Sequence, residues 1–87
     1  MKFFLSLHFQ KKYKKLIKNN PQLSLLIDDK FSLFTINPKH SSLRLHKLKG
    51  KTVDQWSISI KSNLRIIFQY VKEGILITNI GSHDEVY

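Results

Sequence analysis

The sequence predicts an α+β fold in which a mostly antiparallel sheet carries an N-terminal helical hairpin on one face. Between positions 9 and 34, apolar residues recur at intervals of three and four, as they do on amphipathic helices. From position 56 onward, apolar and polar residues alternate, as they do in strands that bury one face. The predicted order of elements is therefore β-α-α-β-β-β, with room for one more strand.

Length and composition indicate one domain spanning residues 1–87. With 41% hydrophobic residues, the 87-residue chain has enough apolar surface for a modest core. It has no cysteine, which excludes disulfides and thiolate zinc sites and fits a reducing cytoplasm. The apolar run before His8 is too short for a signal peptide and lacks a cleavage site, and no segment approaches the roughly 20 apolar residues of a membrane span. We therefore expect a cytoplasmic protein that does not enter the membrane.

The first half of the chain predicts a short strand and two antiparallel helices. Residues 2–7 form the strand, and an apolar stripe from Phe9 to Ile17 with lysines between its members predicts the first helix. Asn20-Pro21 has the residue types of an N-cap and a first helical turn, so the second helix is expected to begin there. Asn37-Pro38 is expected to end it.

The second half predicts strands joined by short turns. The predicted strands are residues 43–46, 56–61, 64–71 and 75–80, and the predicted turns lie at Gly50, Ser62-Asn63 and Glu73-Gly74. Because cross-strand neighbours share a face, Arg65 should lie on the same face as Ser57, Ser59 and Lys61, pointing away from the helices. The tail after Ile80 would then bring His83 and Tyr87 to the edge of that face.

The charge of the chain favours an acidic partner. Fifteen Lys and Arg against six Asp and Glu give a formal charge of +9, which attracts polyanions. Between positions 39 and 65 only Asp54 opposes the cations. A membrane surface or an acidic protein also suits a basic chain, but a histidine, an arginine and a tyrosine near this surface favour RNA. The candidate RNA-binding residues are Arg44, Lys47, Lys49, Lys51 and Lys61.

Four segments in order resemble the RelE/ParE toxin superfamily, and within it the RelE/YafQ-type ribonucleases. They are His46-Lys47-Leu48-Lys49-Gly50, Trp56-Ser57-Ile58-Ser59-Ile60, Asn63-Leu64-Arg65-Ile66-Ile67-Phe68 and Ile80-Gly81-Ser82-His83-Asp84-Glu85-Val86-Tyr87. The resemblance covers nearly the whole chain and implies a RelE-like fold. It further implies a toxin of a type II toxin–antitoxin module, a metal-independent endoribonuclease without a cofactor that cuts messenger RNA in the ribosomal A site. The implied partners are the ribosome, messenger RNA and an acidic antitoxin that forms a hetero-oligomer with the toxin.

Such cleavage sets chemical requirements that four residues can meet. Attack of a ribose 2′-hydroxyl on the adjacent phosphate needs a base, an acid and cations that stabilise the phosphorane. His83 is the first candidate for proton transfer, because imidazole exchanges protons near neutral pH. Arg65 can hold the phosphate with a bidentate fork, and Tyr87 can stack on a base or orient the nucleophile. His46 matches a histidine of YafQ-type toxins and is the second candidate acid or base.

The chain also departs from the family pattern. Some RelE proteins carry lysines where this chain has Ser57 and Ser59, and a serine is too weakly basic to replace them. The histidine and aspartate that YafQ-type toxins carry farther on have no counterpart in residues 56–64. The sequence therefore leaves open which residue is the base.

Other interpretations of the same residues remain open. His83 can be a surface histidine of a frayed tail, Arg65 can pair with Asp84 or Glu85, and Tyr87 can pack against the sheet edge. A metal site formed by the histidines is not expected, because their spacing matches no familiar ligand pattern. Two other functions also fit: a ParE-like inhibitor of DNA gyrase that acts by binding protein, and a non-catalytic basic RNA-binding module.

Overall fold

The computed structural model describes all residues from 1 to 87, and its architecture confirms the predicted α+β class. Three α-helices accompany five strands, and a short 3₁₀ turn precedes the second strand. None of the helices is long and apolar enough to cross a membrane. In chain order the elements are β1 (Lys2–Leu5), α1 (Leu7–Asn19), α2 (Leu23–Ile36), the 3₁₀ turn (Ser41–Leu43), β2 (His46–Lys47), β3 (Trp56–Lys61), β4 (Leu64–Val71), β5 (Gly74–Gly81) and α3 (His83–Val86).

The five strands form one sheet in the order β1-β5-β4-β3-β2. The pairs β2–β3, β3–β4 and β4–β5 are antiparallel, while β1 lies parallel to β5 at one edge. Lys2 is opposite Gly74, and a Cβ at position 74 would overlap the backbone carbonyl of Lys2. Glycine at this position thus lets the first strand approach the last.

Helices α1 and α2 bury the main core against one face of the sheet. The rings of Phe34 and Phe68 meet edge to face with centroids 5.3 Å apart. Trp56 is partly buried on this same face, as the alternation in β3 predicts. The fully buried members from the helices and the neighbouring strands are Ile27, Phe34, Ile58, Ile60, Ile66, Phe68, Ile75, Ile77 and Ile80.

The helix boundaries differ from the prediction at both N-termini. Strand β1 ends at Leu5 instead of position 7, because the Ser6 hydroxyl accepts a hydrogen bond from the Phe9 N–H at 3.0 Å and caps α1. Asn20 does not cap α2. It ends α1 by donating its N–H to the Leu16 carbonyl, and α2 begins at Leu23 without a side-chain cap.

The predicted strand at residues 43–46 is wrong in its first three residues. His40 Nδ1 accepts a hydrogen bond from the Ser42 N–H at 3.2 Å and starts the 3₁₀ turn, which buries Leu43 completely. Arg44 follows in the left-handed region with φ of 48°. Only His46 and the residue after it pair with β3, so the chain reaches the sheet later than the alternation suggests.

The sheet face opposite the hairpin is not fully open, which corrects the expectation of a free surface there. Helix α3 folds back over this face and buries Val86, and Ile67 and Ser57 are buried on the face itself. Ser57 is directly opposite Ile67 in the β3–β4 pair, so both side chains lie on this face. A small second core thus holds the last residues against the sheet.

Candidate functional site

The ring of Tyr87 lies at the centre of the residues that the sequence singled out. The centroid of the His83 ring is 4.3 Å from that of Tyr87, and the centroid of the His46 ring is 5.8 Å away. The guanidinium carbon of Arg65 lies 5.9 Å from the same centroid, a distance that fits a cation–π contact. The structure thus brings together four residues that are spread over 42 positions of the sequence.

Helix α3 holds Tyr87 in place, and it is a capped turn instead of a frayed tail. The Ser82 hydroxyl accepts a hydrogen bond from the Glu85 N–H, while the Ser82 N–H donates to Glu85 Oε1 at 2.8 Å. The Tyr87 N–H donates to the His83 carbonyl at 3.0 Å. This reciprocal pair is a capping box, and residues 82–85 carry its Ser-x-x-Glu pattern in the sequence.

Glu85 makes the cap sensitive to acid. Hydrogen bonds from the backbone and the hydroxyl of Ser82, with the charge of Lys12, lower the pKa of Glu85. Because the folded pKa lies below the unfolded one, Glu85 stabilises the cap above its unfolded pKa, and this contribution is lost as the pH falls through the folded pKa. We expect the Tyr87 amide to exchange hydrogen faster, relative to intrinsic exchange, as the pH falls from about 6 to about 3.

The control for this prediction is Glu85→Gln. Glutamine can keep the capping box but does not titrate in this range, so the protection of the Tyr87 amide should then be independent of pH. Equal loss of protection in both proteins would show that another group weakens α3 in acid.

His46 reaches Tyr87 from the edge strand β2. Its Nδ1 lies 3.0 Å from the Arg44 carbonyl oxygen, and its Nε2 lies 3.2 Å from the Tyr87 hydroxyl. A carbonyl oxygen only accepts hydrogen bonds, so Nδ1 carries a proton and donates it to Arg44. The left-handed conformation of Arg44, which the sequence did not predict, thus sets the orientation of the His46 ring.

Ser57 lies beneath Tyr87 and is the one polar residue among the buried residues of the chain. Its hydroxyl is hydrogen-bonded to the hydroxyl of Tyr87. From the sequence, Ser57 was predicted to share the face of Arg65 and was noted as a position where some RelE proteins have a lysine. Alternation in β3 could indicate its face, but no pattern in the sequence indicates that Tyr87 folds over it.

Arg65 lies in a cleft of about 630 Å³ that is lined by cations and hydroxyls and by no acidic residue. Its Nε is buried and has no hydrogen-bond partner. Neither acidic residue of α3 pairs with it, because Asp84 contacts His83 at 3.5 Å and Glu85 caps the helix. The cations that line the cleft are Lys30, Arg44, Lys61 and Arg65.

The predicted basic residues divide between this cleft and a second one beside His46. A β-bulge pairs Lys61 with Leu64, yet Lys61 still borders the Arg65 cleft together with Arg44. The second cavity, of about 330 Å³, is lined by His46, Lys47, Leu48, Lys49, Lys51 and Tyr87. Lys47 also pairs with Asp54 at 3.3 Å on the exposed surface. Lys30 was not predicted, since it comes from α2 and no local pattern connects it with Arg65.

Comparison with known proteins assigns the chain to a family. The family described as "Bacterial toxin of type II toxin-antitoxin system, YafQ" matches residues 1–87. The chain is therefore a toxin of the type II toxin–antitoxin class. Within that class, it belongs to the YafQ toxin family.

Solved structures of related toxins have the same fold. A metal-bound toxin from Helicobacter pylori is 29% identical, with a TM-score of 0.80 over 100% of this chain and 99% of that chain. The YoeB/ParE toxin from Agrobacterium tumefaciens is 19% identical, with a TM-score of 0.78 over 95% and 99% of the two chains. A chain of the E. coli DinJ-YafQ toxin-antitoxin complex is 14% identical, with a TM-score of 0.80 over 99% and 96%. A search of curated proteins finds no match.

The metal in the Helicobacter toxin does not have an evident site in this chain. No group of three or more His, Cys, Asp or Glu side chains lies close enough together to hold a metal ion. The carboxylate that His83 contacts is that of its neighbour Asp84, at 3.5 Å.

Proposed function

We propose that this toxin is a ribosome-dependent endoribonuclease that cleaves messenger RNA in the A site and so inhibits translation. The observation that carries the proposal is the guanidinium of Arg65, which lines a cleft without acidic residues, lies beside Tyr87 and has no salt-bridge partner. A planar guanidinium that no carboxylate occupies can hold a phosphate with its fork.

The remaining groups supply the other requirements of 2′-hydroxyl attack. Arg65 and the cations around it stabilise the charge on the phosphorane. His83 contacts the Tyr87 ring from α3, and His46 contacts it from β2. A base and an acid are therefore available near one phosphate. Tyr87 offers an aromatic face on which an unstacked base can stack.

The second cavity extends the basic surface along the path of an RNA strand. Lys49 and Lys51 line it beside His46, and they have no acidic partner within salt-bridge distance. Contacts of this kind go to phosphates and bind without reading sequence. Tyr87 lines this second cavity and lies 5.9 Å from the guanidinium carbon of Arg65, which lines the first, so the basic residues of both cavities suit a backbone that passes over the ring.

The test of this function is cleavage on translating ribosomes. Purified toxin should produce new messenger 5′ ends within codons at the A site, and free messenger RNA should be cut far less. Inhibition of DNA supercoiling with intact messenger RNA would instead establish the gyrase inhibitor. RNA binding without new 5′ ends would establish the non-catalytic module.

We further propose that an acidic antitoxin covers this basic surface. Opposite charges favour the encounter, and a disordered acidic segment can fold as it binds. We expect an acidic partner to co-purify from the native host, with affinity that falls as salt rises. Reversing the charge of Lys49 and Lys51 to Glu should weaken the complex at least tenfold, an estimate for like charges facing an acidic partner.

The matched control reverses two lysines of α1 instead. Lys15→Glu with Lys18→Glu makes the same change in net charge on the helical hairpin. Equal weakening by both pairs would show that only net charge matters, and loss by the α1 pair alone would place the antitoxin on the hairpin. A chain that purifies alone at every salt concentration would overturn the partner proposal.

A further inference from the structure

Ser57 has no assigned role, yet its position is unusual. It is the one fully buried polar side chain, with 0% exposure, in a sheet whose other buried side chains are apolar. Its hydroxyl is hydrogen-bonded to Tyr87, and no other hydrogen bond uses that hydroxyl. A buried hydroxyl needs a partner, so the pairing with Tyr87 holds both groups in place.

The Tyr87 hydroxyl connects Ser57 to His46. It lies 3.2 Å from His46 Nε2, and His46 is directly opposite Ser57 in the β2–β3 pair. His46 Nδ1 donates to the Arg44 carbonyl, so both ring nitrogens have partners. The result is a continuous chain of hydrogen bonds from Ser57 through Tyr87 and His46 to Arg44.

The protons of this chain can be arranged in two ways with the same number of hydrogen bonds. When Nε2 of His46 carries no proton, Ser57 donates to the Tyr87 oxygen and Tyr87 donates to Nε2. When Nε2 carries a proton, it donates to the Tyr87 oxygen and Tyr87 donates to the Ser57 oxygen. In both arrangements Ser57 and His46 hold the Tyr87 hydroxyl between them, because a hydroxyl can donate and accept.

We propose that Ser57 is a positioning residue of the toxin's site: it holds the Tyr87 hydroxyl against Nε2 of His46 and so fixes the relative position of the two rings. The effect on catalysis rests on the proposed ribonuclease function. The positioning itself does not, since it depends only on contacts within the folded chain.

The experiment is a double-mutant cycle between Ser57 and Tyr87, read by cleavage on programmed ribosomes. Ser57→Ala should lower the cleavage rate roughly five- to tenfold, the usual worth of one hydrogen bond. In the Tyr87→Phe protein the same change should have no further effect, because Ser57 acts through the hydroxyl that is already gone. Ser57→Cys, which keeps a similar shape with a weaker donor, should fall between Ala and Ser.

The matched control is Thr78→Val. Thr78 lies on β5 and donates its hydroxyl to the Ile67 carbonyl, so this change removes a half-buried hydroxyl of the same sheet without touching Tyr87. Its effect on cleavage should be small, and unfolding curves of all variants should show a folded protein. Equal losses from Ser57→Ala in the presence and absence of the Tyr87 hydroxyl would overturn the proposal.

A second measurement needs no ribosome and therefore tests the positioning role of Ser57 independently of the proposed ribonuclease function. In the ¹⁵N spectrum of the folded toxin, Ser57→Ala should move the Nε2 resonance of His46, and it should not do so in the Tyr87→Phe background. If the toxin cleaves nothing but this pattern appears, the ribonuclease proposal fails and the positioning holds. If His46 responds to Ser57→Ala without the Tyr87 hydroxyl, the positioning proposal is wrong.

Discussion

Arg65→Ala is expected to reduce cleavage on programmed ribosomes by roughly 10² to 10³, the usual cost of removing one preorganised donor to a developing charge. Cells that express the variant alone should grow, whereas cells that express the wild-type toxin should stop translating. The structural reason is the position of Arg65 in a cleft that contains four cations and no acidic residue. No other side chain offers a planar fork beside Tyr87.

The contacts of Arg65 allow the loss of cleavage in Arg65→Ala to be distinguished from misfolding. Replacing Arg65 by alanine removes an unsatisfied Nε donor and also a cation–π contact with Tyr87, so the free energy of unfolding should change little and the variant should stay folded. Arg65→Lys keeps the charge but loses the fork, so it should retain part of the activity. Lys72→Ala removes one positive charge from the exposed β4–β5 turn and is the control for net charge. Full cleavage by folded Arg65→Ala protein would exclude the phosphate role.

His83→Gln should reduce cleavage by about 10² or more, since general acid–base catalysis usually contributes this much. Its ring packs edge to face on Tyr87 with centroids 4.3 Å apart, and its side chain is 57% exposed, so substrate can reach it. Glutamine can still form hydrogen bonds but cannot exchange a proton. Tyr87→Phe keeps the stacking face and should lose less.

His8→Gln is the matched control for this change, because His8 is exposed on α1 and is not among the residues that contact Tyr87. Deleting residues 83–87 would be a less specific test than His83→Gln. The deletion would also remove Val86, which is only 8% exposed, and would uncover Ile67. Loss of activity in the deleted chain could therefore come from lost catalytic groups or from lower stability. Wild-type activity in the folded His83→Gln protein would remove His83 from the mechanism.

The sheet and the helical hairpin were predictable because their signals are local. Alternation in β3 and β4 follows from a side-chain repeat of two residues, and the stripe on α1 follows from 3.6 residues per turn. The predicted element boundaries are wrong where side chains compete with the backbone for hydrogen bonds. Ser6 ends β1 early, and His40 starts a 3₁₀ turn where alternation indicated a strand.

The candidate residues were also identified from the sequence, since His46, Arg65, His83 and Tyr87 were recognised by residue type and by resemblance to a toxin family. Their mutual arrangement was not. The contacts of Tyr87 with Ser57, His46 and Arg65 connect positions that are 22 to 41 residues apart, and such distances carry no periodic signal. The sequence by itself thus determined the fold class, the basic charge and the chemical groups. Only the tertiary structure decided that α3 folds over the sheet face, buries Ser57 and places one tyrosine between two histidines and an arginine, because packing and hydrogen bonding between distant segments exist only in the folded chain.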